Sequence, residues 1–175
     1  MYKYIKRLLD IIISLILIII LSPILLIMLI ITKIEFSGNP IYSQYRIGKN
    51  EKPFKIYKFK TMDDNTKKTT KVSRVIRTIG LDELLQLFNV LNGTMSIVGP
   101  RPFIVGDKLP SAYNNKRHSV KPGITGLAQV NGRVTLTHKE KLKYDDIYVN
   151  NYNFIMDLKI VLKTIKYVFK VIIGK

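Results

Sequence analysis

The sequence predicts an α+β fold that is mainly α, in a monotopic membrane protein. Three observations predict it: an apolar run near the N-terminus, a short alternating stretch after it, and an amphipathic helical pattern at the C-terminal end. The 175 residues leave room for one modest domain beyond the membrane segment. We therefore expect a membrane helix over residues 1–33 and a domain outside the bilayer over residues 34–175, with a small β-hairpin and interfacial amphipathic helices.

The apolar run extends from Ile11 to Ile31 and is interrupted by two polar residues, Ser14 and Ser22. About 20 such residues are enough for an α-helix to cross a hydrocarbon core, so a single spanning helix is the simpler alternative. However, Pro23 removes a backbone donor and favours a sharp bend. Basic residues lie on both sides of the run, so the positive-inside rule places both ends in the cytoplasm. The sequence favours a re-entrant helix-break-helix with its break at Ser22 and Pro23.

Residues 41–62 change to short alternating segments on either side of a polar turn, a pattern that predicts a β-hairpin. Lys58 and Lys60 lie on the same face of the second predicted strand. They could reach a diphosphate, although lysines on a strand equally indicate a solvated sheet edge.

Asp82 and Glu83 stand where an apolar run of helical period begins, so we expect both in the first turn of a helix, where carboxylates are favourable. Adjacent helical side chains point about 100° apart, which suits them to different tasks: one could attack a phosphorus while the other binds a metal or handles a proton. Arg101 lies between two prolines that stiffen its backbone, and a fixed guanidinium suits phosphate. Together these segments predict a phosphoryl-transfer site, although an ordinary charge pair and turn explain each one singly. Arg77 is close enough in sequence to share the site, or it belongs to a solvated helix face.

The glycine-punctuated turn at residues 122–126 could present successive backbone N–H groups to an anion. Gln129, Asn131 and Arg133 follow in an alternating segment and place hydrogen-bonding groups on one side, as a nucleotide or sugar pocket requires.

The pattern from Phe154 to Lys175 predicts a basic amphipathic helix for a membrane surface. Packing against the protein's own core is the competing interpretation, and one helix can do both. The lysines that recur on one face are Lys159, Lys163, Lys166 and Lys170.

The composition indicates an anionic partner, because 29 Lys and Arg residues against 12 Asp and Glu residues give a formal net charge of +17. Lipid headgroups, nucleotide phosphates and nucleic acid all satisfy that requirement. The absence of cysteine excludes disulfides, thiolate metal sites and a cysteine nucleophile. His118 and His138 lie in polar stretches, and we expect surface positions for both rather than metal ligation.

Ordered motifs over nearly the whole chain match those of one known family. They are Lys6-Arg7-Leu8-Leu9-Asp10, Ser22-Pro23, Gly38-Asn39-Pro40, Gln44-Tyr45-Arg46-Ile47-Gly48, Tyr57-Lys58-Phe59-Lys60-Thr61-Met62, Leu81-Asp82-Glu83-Leu84, Asn89-Val90-Leu91, residues 95–102, residues 121–133, and Asp145 with Tyr148-Val149. In this order they resemble the bacterial sugar transferase family, small monotopic phosphoglycosyl transferases that begin glycan assembly on polyprenol phosphate.

The resemblance implies a ping-pong transfer that uses Mg²⁺. Asp82 would attack the β-phosphate of a UDP-sugar and release UMP, and polyprenol (undecaprenyl) phosphate would then take the phosphosugar from the aspartyl intermediate. The catalytic domain would face the cytoplasm at the inner leaflet of the bacterial cytoplasmic membrane, and nucleic acid would not be a partner. The sugar, the glycan pathway and whether the chain forms a homodimer stay open.

The resemblance also implies roles for individual residues. Glu83 would act as a base or, with Asp82, as a metal ligand, and Arg101 would orient Asp82 or the transferred phosphate. The residues expected to bind substrate are Lys58, Lys60, Arg77, Gln129, Arg133 and Asp145.

The chain departs from the family pattern next to the predicted nucleophile. Gly80 replaces the usual serine before Leu-Asp-Glu, Leu85 replaces the usual proline after the next leucine, and Lys60 stands where arginine is common. A non-catalytic basic module that binds anionic lipid or nucleic acid is the alternative from another class of protein. It gives no purpose to Asp82, Glu83 or Arg101.

Overall fold

The computed structural model describes residues 2–36, 38–64, 66–106, 115–132 and 135–173 of the chain. They form the mainly helical α+β fold that the sequence predicts, with two small two-stranded sheets. The elements are α1 (Tyr2–Glu35), β1 (Ile41–Ile47), β2 (Pro53–Phe59), α2 (Lys71–Ile79), α3 (Gln86–Leu91), β3 (Ser96–Val98), β4 (Gly123–Thr125), α4 (Leu127–Asn131), α5 (His138–Asn151) and α6 (Phe154–Ile173). Short 3₁₀ turns lie at Lys49–Glu51, Leu81–Glu83 and Asn115–Ser119.

Helix α1 is the one described helix that is long and apolar enough to cross a membrane, a criterion of length and composition only. It continues through Pro23 without a break in its helical assignment, and the Ser22 hydroxyl donates to the Ile19 carbonyl oxygen at 2.8 Å. A re-entrant path therefore requires a bend within one continuous helix rather than the predicted helix-break-helix. The re-entrant topology and the division after residue 33 stay predictions, and the helix itself continues to Glu35.

The N-terminal end of α1 is fixed to three other elements. The Arg7 guanidinium donates to two carbonyl oxygens at the end of α3, at 2.6 and 2.8 Å. Asp10 is buried and accepts a hydrogen bond from the backbone N–H of Ile97 in β3 at 2.9 Å. Lys6 pairs with Asp157 of α6 at 2.6 Å. These polar contacts place the first turns of α1 within the folded domain.

The C-terminal end of α1 is fixed to the same domain. The Glu35 carboxylate accepts hydrogen bonds from Thr70 at 2.7 Å and from Ser73 at 2.5 Å, at the start of α2. Leu25 and Met28, further back in the helix, are buried in a core cluster with residues of β2, α2 and the segment before α3. Both ends of α1 thus contact one folded body.

The predicted hairpin is confirmed. β1 and β2 pair antiparallel, with Ile41 opposite Phe59 and Ile47 opposite Pro53. Ile56 and Phe59 are almost fully buried and lie on opposite faces of β2, so both faces of this strand pack on the core. Lys58 of β2 reaches the carboxylate segment.

The second sheet is a parallel pair, β3 and β4, which joins the middle of the chain to its C-terminal half. Its neighbouring backbones approach so closely that a Cβ at Gly99 would lie 2.9 Å from the backbone nitrogen of Gly123, which requires glycine at this position. Tyr148 of α5 and Ile160 of α6 pack on this sheet through a buried cluster that includes Val98. The sheet holds the Pro-Arg-Pro segment beside the C-terminal helices.

Helix α6 has the predicted amphipathic form. Asp157 and Ile160 are buried against the domain, whereas Leu162, Phe169 and Ile172 are exposed. The helix therefore packs on the core through one face and leaves apolar side chains on another.

Candidate active site

The two adjacent carboxylates lie in the 3₁₀ turn between α2 and α3. Gly80 ends α2 with a φ of 86°, a left-handed conformation that favours glycine, so the chain turns there. Asp82 and Glu83 follow at once, and α3 begins only at Gln86. The prediction that both lie in the first turn of an α-helix is therefore wrong by a few residues, because the left-handed glycine starts a tighter turn than the apolar period indicates.

Glu83 is held by two cations from separate segments of the chain. Its Oε1 atom accepts from Lys58 Nζ of β2 and from Arg101 Nη2, both at 2.6 Å, and its Oε2 atom accepts from Arg101 Nη1 at 3.2 Å. Burial alone would raise the pKa of Glu83, but the Arg101 and Lys58 charges hold that pKa far below its usual range. Glu83 is thus a fixed carboxylate anion.

Asp82 has the opposite environment. Its side chain is buried, and among the described residues it forms no ion pair. Burial and the neighbouring Glu83 charge raise the pKa of Asp82, and the more distant Lys58 and Arg77 charges oppose this only in part. A desolvated carboxylate without a close partner is more basic and more nucleophilic than an ordinary aspartate.

A cleft of about 420 Å³ brings most of the predicted site residues together. Those that line it are Lys58, Arg77, Asp82, Glu83, Arg101, Gln129 and Asp145. They come from β2, α2, the 3₁₀ turn, the Pro-Arg-Pro segment, α4 and α5, so the fold assembles one site from six separate stretches. When Arg46, Arg117 and Lys141 are included, six Lys and Arg side chains line the cleft with three carboxylates, an arrangement that suits a polyanionic ligand.

Lys60 lies outside this cleft. It pairs with Asp64 at 2.6 Å and lines an adjoining cavity of about 320 Å³ that also reaches Lys58, Arg77 and Asp82. Asp64 belongs to the polar loop after the hairpin, so this loop forms one wall of the second cavity.

An apolar groove of about 300 Å³ meets the polar cleft at Glu83, Arg101 and Gln129. It runs between α1, α3 and α6, and its apolar lining includes Leu17, Leu21, Leu84, Leu87, Val161 and Ile165. The amide atoms of Gln129 are buried and have no hydrogen-bond partner among the described residues. Such groups are costly unless a ligand or water satisfies them, so Gln129 is suited to contact a ligand where the two cavities meet.

Comparison with known proteins decides the family. A sequence model described as bacterial sugar transferase matches residues 1–171. The chain belongs to the bacterial sugar transferase family. The resemblance predicted from the motifs is confirmed.

Relatives of this transferase differ in length. It is 40% identical to the uncharacterized sugar transferase EpsL of Bacillus subtilis (strain 168), over 92% of this chain and 85% of that protein. It is 43% identical to the UDP-glucose:undecaprenyl-phosphate glucose-1-phosphate transferase of Klebsiella pneumoniae, over 97% of this chain and 40% of that protein. It is 36% identical to the UDP-N-acetylgalactosamine-undecaprenyl-phosphate N-acetylgalactosaminephosphotransferase of Aeromonas hydrophila, over 94% of this chain and 44% of that protein. The chain thus spans less than half the length of the two relatives with named donors.

The transferase cleft contains residues that the sequence did not single out for the site: Arg46, Arg117, His138 and Lys141. Arg117 is buried, pairs with Asp145 at 3.1 Å, donates to the backbone carbonyl of Arg101 and stacks on Phe103 at 3.7 Å from the ring centroid. Arg117 therefore positions the segment that carries Arg101. A buried arginine among surface-like polar residues gives no sequence signal, because its carboxylate partner lies in a helix 28 positions later.

Asp145 is nearly inaccessible, and burial raises its pKa to about 6 against the lowering effect of Arg117. Its ion pair with Arg117 indicates that it supports the cleft wall.

The expected surface position of His118 is wrong: the ring is buried, its Nδ1 atom lies 3.1 Å from the Gly48 carbonyl oxygen, and burial lowers its pKa. His138 is exposed as expected, at the start of α5, although it lines the cleft. Arg133 lies outside the described residues.

Proposed function

We propose that this transferase moves a sugar 1-phosphate from a UDP-sugar to polyprenol phosphate through a covalent intermediate on Asp82. One observation carries the proposal: a buried carboxylate without a close cation, Asp82, lies beside a carboxylate fixed by Lys58 and Arg101 in a cationic cleft. The names of the relatives from Klebsiella pneumoniae and Aeromonas hydrophila support the donor and acceptor classes.

In the first step an Asp82 carboxylate oxygen attacks the β-phosphorus of the donor. The bond from that phosphorus to the bridging oxygen breaks, and the oxygen leaves on UMP with the electron pair. In the second step a phosphate oxygen of the polyprenol phosphate attacks the same phosphorus and releases the Asp82 carboxylate. The raised pKa of Asp82 supports this role, because a more basic carboxylate is the better nucleophile.

The neighbouring side chains stabilise charge and hold geometry. Arg101 is 44% exposed and reaches Glu83 through both terminal nitrogens, so one edge of its guanidinium is anchored while the group faces the cleft. Arg77 and Lys58 add positive charge toward the two phosphates. Fixed cations that face developing phosphoryl charge commonly lower a barrier by several kcal/mol.

The residues fit Mg²⁺ in part. Mg²⁺ takes one or two carboxylates and completes its shell with water and substrate phosphates. Asp82 offers free carboxylate oxygens, whereas both Glu83 oxygens already accept from cations, so Glu83 would hold the ion only after releasing one of them. No cluster of three or more metal-binding side chains occurs among the described residues, in line with an ion that depends on the substrate for its remaining ligands. When bound, Mg²⁺ would neutralise charge on the phosphates.

The apolar groove supports a lipid acceptor. It opens along α1 and α6, whose outer faces carry exposed apolar residues, and it ends at Glu83, Arg101 and Gln129. A polyprenyl chain in the groove would bring its phosphate to Asp82 without leaving the bilayer. Both ends of α1 bond to the same domain, which supports a monotopic arrangement, since a straight spanning helix would separate those ends across the membrane. The basic residues at both ends favour the cytoplasmic face of the inner membrane.

The first experiment measures UMP released from a panel of UDP-sugars by detergent-purified protein with Mg²⁺ and undecaprenyl phosphate. We expect release with at least one sugar, and we expect Asp82→Asn to abolish it. Glu51→Gln, which removes a carboxylate from the hairpin turn, is the matched control and should retain activity. No release with any donor by the wild-type protein would favour the non-catalytic basic module.

The covalent step has its own test. Without acceptor, the wild-type protein should release about one UMP per active site and gain the mass of one phosphosugar at Asp82. If UMP release requires both substrates and no adduct forms, polyprenol phosphate attacks the donor directly and Asp82 serves another role.

A further inference from the structure

A second cationic cluster lies at the opposite end of α3 from Asp82 and Glu83. It comprises Lys3 and Arg7 of α1, Lys49 of the hairpin turn, and Lys121 before β4. None of these four side chains lines the polar cleft or the apolar groove. The proposed transfer reaction therefore makes no use of them.

Geometry places these cations together. Arg7 is fixed by its bonds to the Val90 and Leu91 carbonyl oxygens. A Cβ at Gly93 would lie 3.2 Å from Arg7 Nη2 and 3.4 Å from Lys121 Nζ, so both cationic groups lie over the same glycine.

The lysines extend this group on one side. The charge of Lys3 acts on Lys49, and the charges of both act on Lys121. The four cations thus form one cluster on the N-terminal side of α1.

The cluster is not neutralised by the described protein. Arg7, Lys49 and Lys121 are half-buried, and within the described ranges none of the four cations has a carboxylate within ion-pair distance. Asp10 is the nearby acidic group: its Oδ1 atom accepts hydrogen bonds from Ser96 and Ile97 of β3, and its charge acts on Lys121 without forming an ion pair. Burial and mutual repulsion lower the pKa values of Lys49 and Lys121. Half-buried like charges cost stability unless an anion joins them.

We propose that Lys3, Arg7, Lys49 and Lys121 bind the phosphate of an anionic phospholipid headgroup. The position favours a lipid, because Lys3 and Arg7 lie in the first two turns of α1 among exposed apolar side chains that begin at Tyr4 and Ile5 and continue along the helix. A headgroup beside this stretch could keep its acyl chains along α1 while its phosphate meets the cluster. Arg7 supplies a fixed guanidinium edge and the lysines supply mobile point charges, a combination that suits phosphate.

The test titrates short-chain phosphatidylglycerol into the detergent-purified full-length protein and follows the unfolding temperature. Phosphatidylcholine is the neutral lipid, and inorganic phosphate is the soluble anion. The variant is Lys49→Gln/Lys121→Gln, and Lys68→Gln/Lys71→Gln removes the same charge from exposed positions outside the cluster. Each basic group near an anionic headgroup contributes about a fivefold factor in affinity, so the variant, which lacks two, should bind phosphatidylglycerol about 25-fold more weakly. The control variant should bind this lipid as tightly as the wild type does.

The unfolding temperature without lipid provides an independent readout. Without a bound anion the cationic side chains of the cluster repel one another, so Lys49→Gln/Lys121→Gln should be at least as stable as the wild type in neutral detergent. Lys49→Arg/Lys121→Arg keeps the charges and should retain lipid binding. Lower stability of the Gln variant without lipid would mean that the lysines have a structural role and would overturn the proposal. Equal loss of lipid binding in the control would also overturn it, as would equal stabilisation by inorganic phosphate, which would identify a site for free phosphate.

Discussion

Replacing each of the two adjacent carboxylates of this transferase by its amide should change the stability of the protein in opposite directions. Glu83→Gln removes a carboxylate charge that accepts three hydrogen bonds from Lys58 and Arg101, two of them 2.6 Å long. The Lys58 bond is well shielded, with side chains 15% and 13% exposed, and a charge-assisted bond of this kind contributes about 2 kcal/mol. The Arg101 contribution is smaller, below about 1 kcal/mol, because that side chain is 44% exposed and solvent screens it. Glu83→Gln should therefore destabilise the protein by about 2–3 kcal/mol.

Asp82→Asn should have the opposite sign. The pKa of Asp82 is raised, so its ionised form is less favourable in the folded chain than in the unfolded chain, and the neutral amide removes that cost. For a chain of this size, 1 kcal/mol corresponds to a shift of about 2–4 °C in unfolding temperature. Glu83→Gln should lower that temperature by roughly 4–12 °C, and Asp82→Asn should raise it or leave it unchanged.

The assay is thermal unfolding of the wild type and both variants in one detergent, repeated at several pH values. The pKa of Glu83 is depressed, so its stabilising effect is present above its ordinary pKa of 4.5 and is lost as the pH falls toward the depressed value. The difference between the wild type and Glu83→Gln should shrink on acidification below about pH 4.5. Equal shifts of the same sign for both variants at neutral pH would refute the assignment of one paired and one unpaired carboxylate.

Three further outcomes are expected. Because the pKa of Asp145 is raised from 3.8 to about 6, the folded chain holds this proton more tightly, so the free energy of unfolding should fall by about 2 kcal/mol as the pH rises from 4 to 6; a pH series on Asp145→Asn should lack this component. Arg101→Lys should reduce UMP release by about 100-fold with little change in unfolding temperature, since the single ammonium group of lysine cannot pair with Glu83 and face the phosphates at the same time. A smaller loss of rate would count against the role of Arg101 as a fixed guanidinium. EDTA should abolish UMP release reversibly without moving the unfolding temperature, because the described domain gathers no set of three metal-binding side chains, and a large shift would instead indicate a structural metal.

Local patterns in the sequence predicted the elements whose signals are local. The hairpin follows from the alternation around a polar turn, and α6 follows from its helical period, and both are confirmed. The carboxylate turn was misplaced because the left-handed conformation of Gly80, rather than the apolar period beyond it, decides where the helix starts.

Contacts between distant segments could not be predicted in the same way. Lys58 was assigned to phosphate or solvent, yet it pairs with Glu83, 25 positions later in the chain. The sequence predicts a surface position for His118, but the ion pair of its neighbour Arg117 with Asp145 holds this segment in the interior. Neither histidine nor arginine is a residue type that signals burial. Sequence motifs identified candidate residues for the cleft, whereas the ion pairs that hold the cleft together are evident only in the folded structure.

The double attachment of α1 also determines when the protein can reach its final form during synthesis. The apolar helix is synthesised before the rest of this domain, but its Arg7 contacts can form only after Val90 and Leu91 have been made, and its Lys6 contact only after Asp157, 151 positions downstream. In the proposed membrane arrangement, the basic end of the nascent helix therefore lacks these partners until almost the whole domain has been translated. Closing such long-range contacts is slow compared with helix formation, so the final position of the helix would be fixed late, by the folding of the domain that follows it.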